Sequence, residues 1–202
     1  MFEFCPQTMW VGIGALAAYL LGSVNFSLIV VWFRTGRDVR SQGSGSAGAT
    51  NVYRAAGPVA AITVLALDLF RAGFFGWIGR QYADACGYFA MIWPLAMLMG
   101  NFYPVFHGFR GGKGVAALIG IFCLMIPKAG FSGLLLWLLG FYLSGRRVSI
   151  ASLLMVTWYP LGTWIFSGSI EMTVFAALAA VAVWLRHVPN IRRMLKGSEP
   201  AT

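Results

Sequence analysis

Two glycine-rich stretches hold most of the anion-binding potential of this 202-residue chain. The first reads Gly43-Ser44-Gly45-Ser46-Ala47-Gly48-Ala49-Thr50-Asn51. Small residues let the backbone come close to a ligand, and successive N–H groups with Ser and Thr hydroxyls form a concavity for an anion, phosphate above all. A flexible surface linker is the alternative reading of such a run. The second stretch reads Phe106-His107-Gly108-Phe109-Arg110-Gly111-Gly112-Lys113-Gly114. It resembles a phosphate loop, yet a Walker A sequence needs Gly where His107 stands and Ser or Thr where Gly114 stands, so it is not an ATPase loop. A helix amino terminus beside a lysine still attracts a phosphoryl or carboxyl oxygen. The other reading is a basic turn that sets membrane topology.

Two further segments add cations and hydrogen-bonding groups: Arg146-Arg147-Val148-Ser149, and the tail from Arg186 and His187 through Asn190 to Arg193. His187 and Asn190, three apart, share a face if the tail is helical, and Pro189 stands between them. Asp68 and Arg71 are also three apart and read as an ion pair on one helix face, in a structural or a substrate-binding role.

What is missing narrows the chemistry. Asp38 and Glu199 are the only carboxylates near these basic segments, too few for a metal cage or a carboxylate acid–base pair. Cys5, Cys86 and Cys123 show no metal or redox spacing. The acyltransferase pattern His-x4-Asp fails at both histidines, since Gly112 and Arg192 occupy the acid position. A site rich in cations and poor in bases suits anionic substrates, one of them already activated, with no metal and no cofactor.

The elements that position these segments are apolar. The chain is 59% hydrophobic and 10% charged with 25 Gly and 8 Pro, and its mean hydropathy is +0.75. A soluble domain carries about 25% charged residues, so the chain reads as a single all-α polytopic membrane domain over 1–202, not a soluble enzyme, secreted scaffold or nucleic-acid module. The net charge of +9 lies between the apolar runs, as orientation signals and anion ligands do. Helices are expected near 9–33, 58–79, 87–106, 114–126, 129–144, 149–166 and 170–186. The fourth covers only about 18 Å, and Pro127 and Lys128 mark a turn after it. The first run is too long and too weakly flanked for a cleaved signal peptide. With seven crossings, one side receives Arg34, Arg37, Arg40, Arg54, Arg110, Lys113, Arg146, Arg147 and the basic tail, and the other only Arg80 and Lys128. By the positive-inside rule the amino terminus is outside and the carboxyl terminus cytoplasmic. The cytoplasmic loops 34–57, 107–114 and 145–148 and the tail 187–202 then form the active face. On the outer face, Cys5 and Cys86 could pair only within about 7 Å between Cα atoms.

Taken in order, GSGSAGATNV at 43–52, GNFYPVFHGFRGGKGVA at 100–116, Ser149 in VSIASLL and RHVPNIRRMLKGSE at 186–199 resemble the bacterial acyl-phosphate:glycerol-3-phosphate acyltransferase family. YLLGS at 19–23 and DLFRA at 68–72 fall in matching places. The resemblance spans nearly the whole chain. It implies a seven-helix enzyme of the bacterial inner membrane that moves a fatty acyl group from acyl phosphate to the 1-hydroxyl of glycerol 3-phosphate, giving lysophosphatidic acid and phosphate in phospholipid synthesis. It also implies no metal, no cofactor, no nucleic acid and no thioester donor. By matched position, Ser44, Gly45, Gly48, Thr50 and Asn51 would hold the donor phosphate. Arg110, Gly111 and Gly112 would contribute to substrate binding. Arg54, Lys113, Ser149, His187 and Asn190 would hold glycerol phosphate and the reacting groups. Three positions depart from the family pattern: Asn101 stands for His, Arg71 for Lys and Arg110 for Lys. The arginines keep charge but change geometry, and Asn101 cannot accept a proton as His can. From the residues alone, a multi-pass transporter of an anionic phosphate compound and a lipid-binding scaffold remain rivals, although no internal repeat of the kind common in transporters is evident.

Overall fold

A computed structural model describes residues 8–43 and 45–198, and among them every regular element is helical. Helix α1 (Thr8–Ser23) and α2 (Phe26–Thr35) form one apolar segment interrupted at Val24–Asn25. The single helix expected over 9–33 is thus two. Asn25 causes the restart, because its side chain accepts from the Leu28 N–H at 3.2 Å and caps α2. Gly36 closes α2 in the left-handed conformation.

Helix α3 (Ala49–Cys86) begins nine residues before the expected position, with its first turns bent from the rest at Gly57 and Pro58. The Gly-Pro pair reads as a helix start, since Pro lacks an N–H and clashes with the turn before it. Gly57, at φ 83°, absorbs that clash and lets a short helix precede the break. After a 3₁₀ turn, Gly87–Met91, comes α4 (Ile92–Phe102), shorter than the expected 87–106. Helices α5 (Val115–Met125) and α6 (Pro127–Leu143) are separate, with the break at Ile126 rather than at the expected Pro127–Lys128, because proline fits the first helical position and starts α6. Helices α7 (Val148–Ser167), α8 (Ile170–Arg186) and α9 (Val188–Leu195) complete the described residues. α9 departs from α8 at 52°, so the tail, left open by Pro189 in the sequence, is a helix bent from α8. Cys5 lies outside the described residues, and with it the question of pairing to Cys86.

By length and composition, Trp10–Thr35, Ala49–His107 and Val148–Ser167 can cross a membrane, and the bent pair α8–α9 adds a fourth if taken as one span. The outer surface agrees with a lipid setting: Phe33, Phe70, Phe131, Tyr142 and Leu143 are each more than 60% exposed, a density of bare apolar surface that water does not tolerate. Inside, α3 packs on α5, α1 on α4 and α6 on α7. Glycines bring the backbones together where helices of this kind meet. At Gly120 of α5 a Cβ would sit 2.9 Å from both the Cα and the carbonyl carbon of Leu69 in α3.

Overpacking a tight core contact costs about 1–3 kcal/mol, so Gly120→Val is expected to lower the thermal unfolding midpoint in detergent. Gly12→Ala, where a Cβ meets nothing within 4 Å, is the control. Equal effects of the two would contradict this packing.

Candidate active site

One end of the bundle encloses a cavity of about 290 Å³. Its wall includes residues 46–51, 112–117 and 148–149, which are the amino-terminal ends of α3, α5 and α7 with the residues leading into them. None of these three helices has a side-chain cap at its start: Gly48, Gly114 and Arg147 stand there without one. The leading N–H groups of a helix have no intrahelical partner, and together with the macrodipole they give each start a partial positive charge. Three such ends around one space make it an anion site before any side chain is added. Lys113 and His187 line the same wall.

The local chemistry of each segment explains its place. Gly111 and Gly112 donate to the carbonyls of Phe102 and Asn101 at 3.2 and 3.1 Å, which folds the loop back onto the end of α4. No side chain fits there: a Cβ on Gly112 would lie 2.7 Å from the Ala47 carbonyl oxygen, and one on Gly111 would overlap the Asn101 carbonyl. Gly114, at φ 77°, turns the chain into α5. Asn51 is buried, and its amide donates to the carbonyls of Val39 and Gln42 at 2.8 and 3.0 Å, tying the first glycine-rich loop to α3. His187 sits at the α8–α9 bend, with Nδ1 2.8 Å from the Val183 carbonyl. A carbonyl only accepts, so Nδ1 carries the proton and Nε2 is the acceptor of the neutral ring. One turn on, the Asn190 amide donates to the Ser149 hydroxyl at 2.8 Å, joining α9 to α7.

A second cavity, beside the first, is lined by Gly45, Gly111, Arg186, Asn190 and Arg193, and it shares Ser46 and Lys113 with the first. The first cavity also has an apolar end, formed by Leu65, Ile119, Leu134 and Trp137. Trp137 donates to the Ser152 hydroxyl at 3.2 Å there. Outside the cavities, Arg40 forms a bidentate pair with Asp38, at 2.7 Å for the shorter contact. That hydrogen bonding lowers the Asp38 carboxyl and raises the Arg40 guanidinium from their usual values. The pair is therefore intact above the ordinary carboxylate pKa and is lost only as pH falls through the lowered value.

Similar sequence and architecture occur in known proteins. The glycerol-3-phosphate acyltransferase family model matches residues 12–197. This chain belongs to that family. The glycerol-3-phosphate acyltransferase of Thioalkalivibrio sulfidiphilus (strain HL-EbGR7) is 38% identical over 189 residues, covering 92% of this chain and 90% of that protein. The one from Halalkalibacterium halodurans (strain C-125 among its designations) is 37% identical over 193 residues, with 91% of each covered. Among solved structures, the crystal structure of PlsY (YgiH), an integral membrane glycerol 3-phosphate acyltransferase, in its glycerol 3-phosphate form, superposes with a TM-score of 0.89 at 32% identity, covering 96% of both chains. The lysophosphatidic acid form of PlsY gives 0.84 at 31%, covering 95% of both.

Of the residues singled out from the sequence, Gly48, Thr50, Asn51, Gly112, Lys113, Ser149 and His187 line the first cavity, and Gly45, Gly111 and Asn190 line the second. Arg54 and Arg110 are exposed and line neither, and Ser44 lies outside the described residues. Asn101 is part of the first cavity's wall, so the departure from the family's His falls at the site itself. Asp68 reaches the same cavity while paired with Arg71 at 2.7 Å. Arg40 and Arg186 were legible only as topology signals, because their partners are backbone carbonyls about 70 residues away. The apolar end was not legible either, since Leu65, Leu134 and Trp137 look like any lipid-facing residues.

Because Asn190 and Ser149 act through a shared hydrogen bond, their effects on acyl transfer should not add. Ser149→Ala and Asn190→Ala are each expected to lower kcat/KM by about tenfold or more, and the double variant little further, a coupling of about 1 kcal/mol or more. Independent, additive losses would show that the bond is incidental.

Proposed function

We propose that this chain is a membrane glycerol-3-phosphate acyltransferase that uses a fatty acyl phosphate as donor and forms lysophosphatidic acid and inorganic phosphate. The observation that carries the reading is the convergence of three helix amino termini and Lys113 on one cavity that is apolar at its other end. Such a space suits a phosphate joined to a hydrocarbon chain. The neighbouring polar cavity, sharing Ser46 and Lys113, suits the smaller phosphorylated acceptor. Donor phosphate is assigned to the backbone of 44–51, with Gly111 and Gly112 as further substrate contacts in the cavity walls and Arg110 as an outlying one. Glycerol phosphate and the reacting centre are assigned to Arg54, Lys113, Ser149, His187 and Asn190.

In the proposed reaction the 1-hydroxyl oxygen of glycerol 3-phosphate attacks the acyl carbonyl carbon, the bond from that carbon to the phosphate oxygen breaks, and phosphate leaves. The hydroxyl proton passes to a substrate phosphate oxygen, so no acyl-enzyme forms and no cofactor or metal takes part. A mixed anhydride is a good acyl donor, and neutralising two phosphates while holding them in line supplies much of the rate. The whole chain is proposed to act as one polytopic domain of the bacterial cytoplasmic membrane, with seven crossings, the amino terminus outside and the site facing the cytoplasm. The separation of α5 from α6 supports that count, because only an odd number of crossings leaves nearly all basic loops on one side.

Purified protein given acyl phosphate and labelled glycerol 3-phosphate, without ATP, divalent metal or thioester, is expected to release labelled lysophosphatidic acid and phosphate in equal amounts. Binding of both compounds without product would favour a carrier, and a trapped acyl-protein would replace direct attack with a two-step route.

A further inference from the structure

The loop 107–114 is held through its carbonyls by two arginines to which the reaction above gives no role, one of them, Arg186, lining the second cavity. Arg186, the last residue of α8, donates through Nη2 to the carbonyls of Gly111 and Gly112 at 2.9 and 3.0 Å and through Nε to Gly112 at 3.2 Å. Its guanidinium lies over the rings of Tyr103 and Phe102, 5.2 and 5.9 Å from their centroids. Arg40 donates to the carbonyls of His107 and Arg110 at 3.1 and 3.3 Å while Asp38 holds its other edge. Four carbonyls of one loop are thus taken by two side chains that come from opposite ends of the sequence.

The loop needs holding. Gly108 and Phe109 are consecutive left-handed residues, at φ 64° and 59°, and a non-glycine residue in that region is strained. The Phe109 side chain is 56% exposed, so packing of the ring does not impose the conformation. The Arg40 contacts fall on the peptides that bracket it, His107 and Arg110. Further on, a peptide unit is a rigid plane. Fixing the Gly112 carbonyl on Arg186 therefore fixes the direction of the Lys113 N–H in the same plane, at the point where the chain enters the anion cavity.

We propose that Arg186 and Arg40 are positioning residues: by gripping the carbonyls of the 107–114 loop they aim its N–H groups and Lys113 at substrate phosphate. Arg186 also joins that loop to the α8–α9 bend, so Lys113, His187 and Asn190, all assigned to glycerol phosphate, move as one unit. The planar fork matters more than the charge, because one ammonium cannot occupy two carbonyls in the same plane as a guanidinium does. The kinetic half of this inference rests on the acyl-transfer reading, and the structural half does not.

The test compares full-length Arg186→Lys, Arg186→Gln and Arg40→Lys proteins with the unaltered chain, reading amide hydrogen exchange of 107–114 and the kinetics of glycerol 3-phosphate acylation. Arg186→Lys is expected to speed exchange at Gly111 to Lys113 by tenfold or more, with protection in α5 and α7 unchanged, and to raise KM for a phosphorylated substrate tenfold or more with a smaller change in kcat. Arg40→Lys is expected to do the same at 107–110, and it serves as the test if the Arg186 variants do not fold. Unchanged exchange overturns the clamp even if activity is lost. Full retention by the lysine variants overturns the fork. A fall in kcat at constant KM, the pattern of a smaller folded fraction, overturns the positioning role. If the unaltered protein transfers no acyl group, the functional reading fails, while the exchange result still decides the clamp.

Discussion

Broken helices leave carbonyls without partners, and in an apolar layer each such group must find a donor inside the protein. This chain meets that constraint repeatedly with guanidinium groups. Where α1 ends, the carbonyls of Leu21 and Val24 are taken by Arg71, which is itself paired with Asp68 and lies over the Phe26 ring. Where α4 ends, the loop N–H groups of Gly111 and Gly112 take the carbonyls of Phe102 and Asn101, and Arg186 takes those of the same two glycines. Hydrogen bonds to a charged donor are worth about 1.5–3 kcal/mol each, enough to make interrupted backbone a stable part of a membrane protein. The breaks are what bring helix starts to face one another.

That arrangement gives a site with so few ionisable groups a means of holding a phosphorylated compound. Backbone at the starts of α3, α5 and α7 contributes positive potential there, which is oriented before substrate arrives and needs no rearrangement during reaction. Lys113 lines both cavities. His187, with Nδ1 held by the Val183 carbonyl, presents a defined tautomer to the site.

The two ends of the first cavity also belong together. The lining combines the residues at the starts of α3, α5 and α7 with the apolar side chains of Leu65, Ile119, Leu134 and Trp137. A molecule with a charged head and a hydrocarbon tail matches both at once. Burying its tail contributes roughly 0.8 kcal/mol per methylene, so the apolar end can supply binding energy that holds the reacting head in line.

Composition alone determined that the chain is helical and apolar, since 10% charged residues cannot solvate a surface. The spacing of glycines, cations and amides determined which loops matter, and Gly48, Thr50, Asn51, Lys113, Ser149 and His187 do share one cavity. The break beside Pro127 was legible because proline's effect is local. The start of α3 before Gly57 and the break at Asn25 were not read from the sequence, although Gly57 and the Asn25 cap act locally; the carbonyls the second break frees are taken by the distant Arg71. Only the tertiary structure decided that Arg40 and Arg186 grip a distant loop, that Asn190 donates to Ser149, and that Arg54 and Arg110 stand outside both cavities. The physical reason is that a residue type states what a side chain can bond, whereas a backbone carbonyl, the partner in most of these contacts, is the same at every position until the fold selects one.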